Sequence, residues 1–327
     1  MLYYNYLEEF NMIEFSESLD EILKSYNITN YKIQKFRSVY KISTKDRNIL
    51  LKGFKSKTKV LNTKIIISHL CNKNFKFCQK IFYNNNDRFY FKLNDKYYSC
   101  FSWINGKEVD LREIKNIKRS IKSIYLFHKY LSDLDYSCMD IKDNSSWDLK
   151  FEESIINLYN IKNIILNKDV WCCIDRFYYE NIDTALRILH NIVSELYNND
   201  IKDFLINNKS ICHDSLYYQN LILKKNNIYL IDFGGVCINN SIYDLSKFAR
   251  RVFYKNKFNM RLLNEMFDYY NLYYKFNDTE KHLFNLYMKY PYKFIKFGIR
   301  FYLRNKQFER EKLINKLKKY AEYELSN

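Results

Sequence analysis

Residues 212–235 read "CHDSLYYQNLILKKNNIYLIDFGG", and the reading of this stretch decides the fold. Two short strands, 220–225 and 228–233, are legible from their apolar and β-branched residues, with Asn226-Asn227 as the turn between them. Ahead of the pair stand His213 and Asn220, and at its end comes Asp232-Phe233-Gly234-Gly235. Phosphoryl transfer asks mostly for positioning and charge neutralisation: an Asn and an Asp on the metal, and a base beside the acceptor hydroxyl. In a catalytic loop of this kind the base lies five residues before the metal-binding Asn. Counting back from Asn220 lands on Ser215, with Asp214 next to it.

Working outward, "YKIQKF" (31–36), "VYKIST" (39–44) and "RNILLKGF" (47–54) read as a three-stranded antiparallel meander. The third strand carries Lys52, placed to reach nucleotide phosphates. Residues 58–73 read as one helix, and "FCQKIFY", "RFYFKL" and "KYYSCFS" as further strands, the last two joined at Asn94-Asp95. Trp103 ends this part and is a candidate cofactor contact. "INGKEVDL" (104–111) is read as the linker. Beyond it Ile114, Ile117, Ile121, Ile124, His128 and Leu131 recur on one helical face, with His128 as a packed core residue. A helix over 183–198 is expected from an Asp183 N-cap, and the chain after Ser241 reads as helical. The expected fold is α+β and bilobal, of the protein-kinase type: 1–103 a small β-rich N-terminal lobe with one helix, 104–111 a hinge, and 112–327 a larger, mainly helical lobe holding the catalytic-loop hairpin.

Composition narrows the function classes. The chain has 327 residues, 47% hydrophobic, with 32 Tyr and 25 Phe but 5 Gly and 1 Pro, enough to bury a large core. A net charge of +17 favours anionic partners, yet it is spread along the chain and no nucleic-acid-reading motif accompanies it, so nucleic acid is not an expected partner. Eight cysteines form no C-x-x-C pair and give no zinc signature. The start, "MLYYNYLEEFNMIEF", is acidic where a signal peptide needs a basic region, and no apolar run reaches the length of a membrane span. Synthesis in a reducing cytoplasm, with free thiols, is expected.

Several segments carry a resemblance: "RSVYKISTKDRNILLK" (37–52), "SWINGKEVDL" (102–111), "CHDSLYYQNLIL" (212–223), "YLIDFGG" (229–235), "YDLSKFARR" (243–251) and "YMKYPYKFIKFGIRFY" (287–302). Over most of its length the chain resembles the spore-coat CotS family, a branch of the aminoglycoside/choline phosphotransferase-like kinases. The resemblance implies a role in the spore coat or its assembly, with other coat proteins as partners.

Three departures bear on the chemistry. Ser215 holds the base position, and serine is no carboxylate base at neutral pH. Asp214 is available only if the loop adjusts, and a misplacement of about 1 Å can lower the rate roughly a hundredfold. No acidic residue lies between Asp46 and Asp87, so the helix at 58–73 offers Lys52 no glutamate. The loop expected to cover the nucleotide, "FRSVYK", has no glycine. Three functions stay open: a kinase-like coat protein with weak or absent phosphotransferase activity; an active enzyme using ATP and Mg²⁺ on a small-molecule or protein hydroxyl; and a basic protein associated with nucleic acid. In the second, Lys52 would hold phosphates, Asn220 and Asp232 the metal, Asp214 would be the base, and Glu265, Asp268, Asp278 and Glu280 could wall a cationic acceptor. His213 is read as a brace, bonded to the backbone near Asp232.

Overall fold

A computed structural model describes residues 18–326; the N-terminal stretch read for a leader lies outside them. By backbone proximity the chain forms two units. Of the described residues, the first comprises 18–142 and 213–236, the second 143–212 and 237–326.

The first unit begins, within the described residues, with a helix over 18–25 (α1). Strands β1 (Lys32–Phe36), β2 (Val39–Ser43), β3 (Asn48–Phe54), β4 (Phe91–Leu93) and β5 (Lys96–Ser102) make one antiparallel sheet in the order β1-β2-β3-β5-β4. The expected meander is present, and helix α2 (Lys57–Asn72) follows it. Apolar residues on alternate strand positions explain the packing: Ile42, Ile49, Leu51 and Cys100 are buried together with Leu19, Ile22 and Leu23 of α1. Asn94 takes φ +50 at the β4–β5 turn, a conformation asparagine tolerates. "FCQKIFY" is not a strand; it contributes isolated bridges, Cys78 to Leu230 and Ile81 to Phe101.

A second sheet in this unit has the order β6-β8-β9, from Lys107–Glu108, Leu221–Lys224 and Asn227–Leu230. The hairpin turn is one residue earlier than expected: Lys224 pairs with Asn227, so Lys225-Asn226 form it, with Lys225 at φ +54. Segment 104–111 is more than a linker, because β6 pairs with β8. Its glycine is required by proximity, since a Cβ on Gly106 would lie 2.5 Å from the carbonyl oxygen of Leu223. Helix α3 (Ile114–Leu131) buries Ile117, Ile121, Ile124, His128 and Leu131 as expected, while Ile114 is exposed.

The second unit is mainly helical: α4 (Trp147–Leu166), α5 (Cys173–Leu196), α6 (Asn199–Asn207), α7 (Ser241–Lys255), α8 (Met260–Asn271), α9 (Asp278–Lys289), α10 (Tyr292–Gly298) and α11 (Arg310–Glu324). A short ladder pairs β7 (Ser210–Cys212) with β10 (Cys237–Asn239). Asp183 is no N-cap: the helix starts ten residues earlier, where Cys172 and Asp175 form a capping box. Asp183 instead pairs with Lys162 of α4 at 2.6 Å. None of the described helices is long and apolar enough to cross a membrane, and all eight cysteines are free thiols.

Candidate functional site

His213, Asp214, Ser215, Asn220, Asp232, Lys52 and Trp103 all belong to the first unit. After β7 the chain bends sharply. Ser215 N–H donates to the carbonyl of His213 at 2.7 Å, closing a three-residue turn with Asp214 at its apex and φ +60. Turns of this kind with positive φ are rare and strained. Ser215 lies inside the loop: its carbonyl accepts from Tyr217 N–H at 2.7 Å and from Asn220 Nδ2 at 2.8 Å.

The peptide of Ile231 ties this loop to Asp232. Its N–H donates to the carbonyl of Asn220 at 3.1 Å, and its carbonyl lies 3.0 Å from His213 Nε2. A carbonyl can only accept, so Nε2 carries the proton. The expected bracing bond of His213 is therefore in place. The imidazole is wholly buried beside Phe233, whose ring stacks on Phe127 at 5.8 Å. Fixing Ile231 and Phe233 leaves Asp232 between them in the left-handed region, at φ +68.

No described glycine has a positive φ, so the tight turn expected of Gly234-Gly235 is made by Asp232 itself. What Gly235 supplies is proximity, since a Cβ there would lie 3.1 Å from Ser215 Oγ.

Lys52 reaches Asp232 and forms an ion pair with Oδ1. Sequence reasoning sought a partner for this lysine on α2 and found none. The partner is 180 residues away, and a one-residue count could not show it. Burial alone would raise the Asp232 carboxyl; the charge and hydrogen bond of Lys52 outweigh it and hold the group below the usual carboxylate range.

Beside this pair is a cavity of about 460 Å³, within the roughly 300–1,000 Å³ typical of small-molecule sites. Val39 and Leu50 face it from the first sheet, Ile222 from the second and Ile231 from the residue after β9, and Lys52, Asn220 and Asp232 give it a polar end. Trp103 also lines it, packed against Phe36 at 5.3 Å between ring centroids. Arg37, at φ +53 in the glycine-free β1–β2 turn, pairs with Glu108 of β6 at 2.6 Å, and both line the cavity. Sequence reasoning missed this clasp. The two residues are 71 apart, and the only local signal was an arginine where a glycine was sought.

The carboxylates considered as an acceptor wall are engaged locally in the second unit. Glu280 caps α9 with Asn277, Asp278 lies in the same first turn, and Glu265 accepts from Arg261 and Tyr269. Asp268 is exposed on α8.

No family model matches the chain, and no curated protein matches its sequence. Solved structures do match its fold. An aminoglycoside phosphotransferase from Alicyclobacillus acidocaldarius is 13% identical, with a TM-score of 0.80 and 94% of each chain covered. The amicoumacin kinase hAmiN, in complex with AMP-PNP, Ca²⁺ and amicoumacin, is 12% identical with a TM-score of 0.63, over 90% of this chain and 87% of its own. The choline kinase LicA from Streptococcus pneumoniae is 14% identical with a TM-score of 0.57, over 95% and 100%. At these identities the likeness shows the fold: it is kinase-like, with an N-terminal sheet region and a larger helical part.

Proposed function

We propose that this chain is a kinase-like protein that binds ATP with Mg²⁺ in the first unit's cavity, transfers phosphoryl weakly or not at all, and serves in the spore coat. The coat role rests on the resemblance to the CotS family and on nothing in the geometry. The loss of transfer rests on one observation: Asn220 Nδ2 donates to the carbonyl of the residue five positions earlier, and that residue is Ser215.

The residues present fit a metal–nucleotide. Asn220 Nδ2 is committed to Ser215, which fixes the amide and leaves Oδ1 as the oxygen able to ligate a hard cation. Asp232 is held ionised, as a metal ligand must be. Lys52 offers a charge to phosphate oxygens, and the apolar faces of Val39, Leu50, Ile222 and Ile231 suit a base. The bound metal would supply charge neutralisation at the transferring phosphoryl group.

Proton removal is the weak point of this chain's own chemistry. General-base catalysis contributes roughly 10²–10⁴-fold, and Ser215 has no carboxylate to give. Asp214 stands at the apex of a turn closed by its two neighbours.

Thermal-shift titration with ATP and Mg²⁺, paired with turnover assays, tests the reading. The wild type should be stabilised by the pair and Asp232→Ala should not; no stabilisation of the wild type would remove the nucleotide site. Turnover should rise about 10²-fold in Ser215→Asp. Vigorous wild-type turnover that vanishes in Asp214→Asn would overturn the inactive reading and identify Asp214 as the base. Absence of the protein from extracted spore coats would remove the coat assignment.

A further inference from the structure

Two segments that carried the resemblance, 243–251 and 287–302, take no part in the nucleotide site. In the second unit they come together. Helix α7 presents Tyr243, Lys247 and Arg250 at four- and three-residue steps, hence along one face. Tyr287 and Tyr290 come from the end of α9 and the residue after it, and Tyr292 from the start of α10.

Arg250 is 4% exposed. Its guanidinium carbon lies 4.2 Å from the Tyr287 ring centroid, 5.5 Å from that of Tyr290 and 5.6 Å from that of Tyr292. Stacking of this kind uses the guanidinium face and leaves its N–H edges free to donate. Among the described residues, Nη1 and Nη2 of Arg250 are buried and meet no acceptor. The nearby buried carboxylate, Glu324, feels the charge of Arg250 but is otherwise committed: it accepts from Tyr254 and from the backbone N–H groups of Lys293 and Phe294.

More cations gather at the same rings. Lys150 and Lys247 donate to the one Tyr243 hydroxyl at 3.3 and 3.4 Å, and their ammonium groups lie 4.9 and 4.8 Å from its ring centroid. Lys150 also lies 5.8 Å from the Tyr287 centroid. Burial raises the Tyr287 hydroxyl, while Arg250, Lys247 and Arg251 pull it down, which marks the neighbourhood as electropositive. A buried donor without an acceptor is costly, more so when charged, and a planar guanidinium flanked by two point charges suits a doubly charged oxyanion.

We propose that Arg250, Lys247 and Lys150, with the tyrosines around them, form a binding site in the second unit for a phosphate monoester or inorganic phosphate. Tyr292, half-exposed and accepting from Lys296 Nζ through its hydroxyl at 2.8 Å, is the most exposed of the three rings around Arg250. The site is unlike an acidic wall for a cationic acceptor, and it does not depend on the nucleotide reading.

Thermal-shift titrations of the full chain with inorganic phosphate and with glycerol 3-phosphate test it, against sodium chloride at matched ionic strength. All arms are run in a Lys52→Met background, so that the first unit's cavity loses the charge that faces phosphate. At 10 mM, phosphate or the ester should raise Tm by roughly 3 °C or more above the chloride control. A rise with both gives a site for the phosphate group alone, and a rise with only the ester gives one that also reads its carbon skeleton. Arg250→Met keeps an apolar stem among the tyrosines and should abolish the rise. Lys247→Met, at a half-exposed position, should weaken phosphate affinity about tenfold and keeps the test open if Arg250→Met does not fold. No rise above chloride, or an equal rise in folded Arg250→Met or Lys247→Met, overturns the proposal. ATP–Mg²⁺ binding by an otherwise wild-type Arg250→Met protein reports separately on the first unit.

Discussion

At the residue scale the site turns on which group holds Asp232. The charge and hydrogen bond of Lys52 hold that carboxyl below its ordinary range, so protons would compete with the proposed metal only in acid. A carboxyl whose folded pKa is depressed keeps its contribution above the unfolded value, about 3.9, and loses it as pH falls through the lower folded value. The Asp232 share of the affinity for ATP with Mg²⁺, read as wild type against Asp232→Asn, should therefore persist while the nucleotide's own terminal phosphate, with a pKa of about 6, takes up its proton, and be lost only in acid. Titrations of both proteins by calorimetry check this, and a difference between them that vanishes near neutrality would contradict it. Asp232→Asn should lower the affinity at least tenfold, about 1.4 kcal/mol. Much of this was legible, because Asn220, Ser215 and Asp232 sit at fixed spacing in one stretch. The partners of Lys52 and Arg37 were not, since each lies in another element and is set by how the sheets fold.

At the element scale the least legible boundary was the start of α5. Its N-cap is a cysteine, a type no capping rule favours, while Asp183, a favoured type, lies inside the helix. The true start is marked by Asp175, 1% exposed, which accepts from Cys172 N–H at 2.9 Å, Lys168 at 2.6 Å and Tyr302 at 2.9 Å. Burial raises this carboxyl, but those partners together hold it below the ordinary value. Asp175→Ala removes the cap and leaves Lys168 and the Tyr302 hydroxyl without this acceptor, so a loss of about 3 kcal/mol is expected in urea unfolding. The wild-type contribution should be complete above about pH 4 and fade as pH falls through the lowered pKa. Gly106→Ala tests the other element misread from sequence. With 2.5 Å to a backbone oxygen, even one methyl must push β6 from β8, costing about 1–3 kcal/mol and weakening nucleotide affinity. An unchanged unfolding midpoint would show that the segment yields freely.

At the scale of the whole molecule, the β-rich start and helical remainder were legible because their apolar periodicities differ. The exchange of chain between units was not. The loop and hairpin over 213–236 belong with the N-terminal sheets, so the first unit is completed by residues from far down the sequence. A fragment ending at residue 142 lacks β8, the partner of β6, and lacks Asp232. It should give no cooperative thermal transition and no ATP–Mg²⁺ stabilisation, by calorimetry and thermal shift. The charge of +17 carries its own expectation. Retention on duplex DNA should be weak at low salt and gone by about 0.2 M, as for charge attraction without a reading motif.

The bond that registers the loop, from Asn220 to position 215, ends on a main-chain oxygen and makes no use of the serine hydroxyl. That bond therefore does not depend on the residue type at position 215, which makes the position an attachment point. With a cysteine installed there, a thiol-reactive fluorophore would sit beside Gly235, and nucleotide arrival at the proposed site could be followed optically.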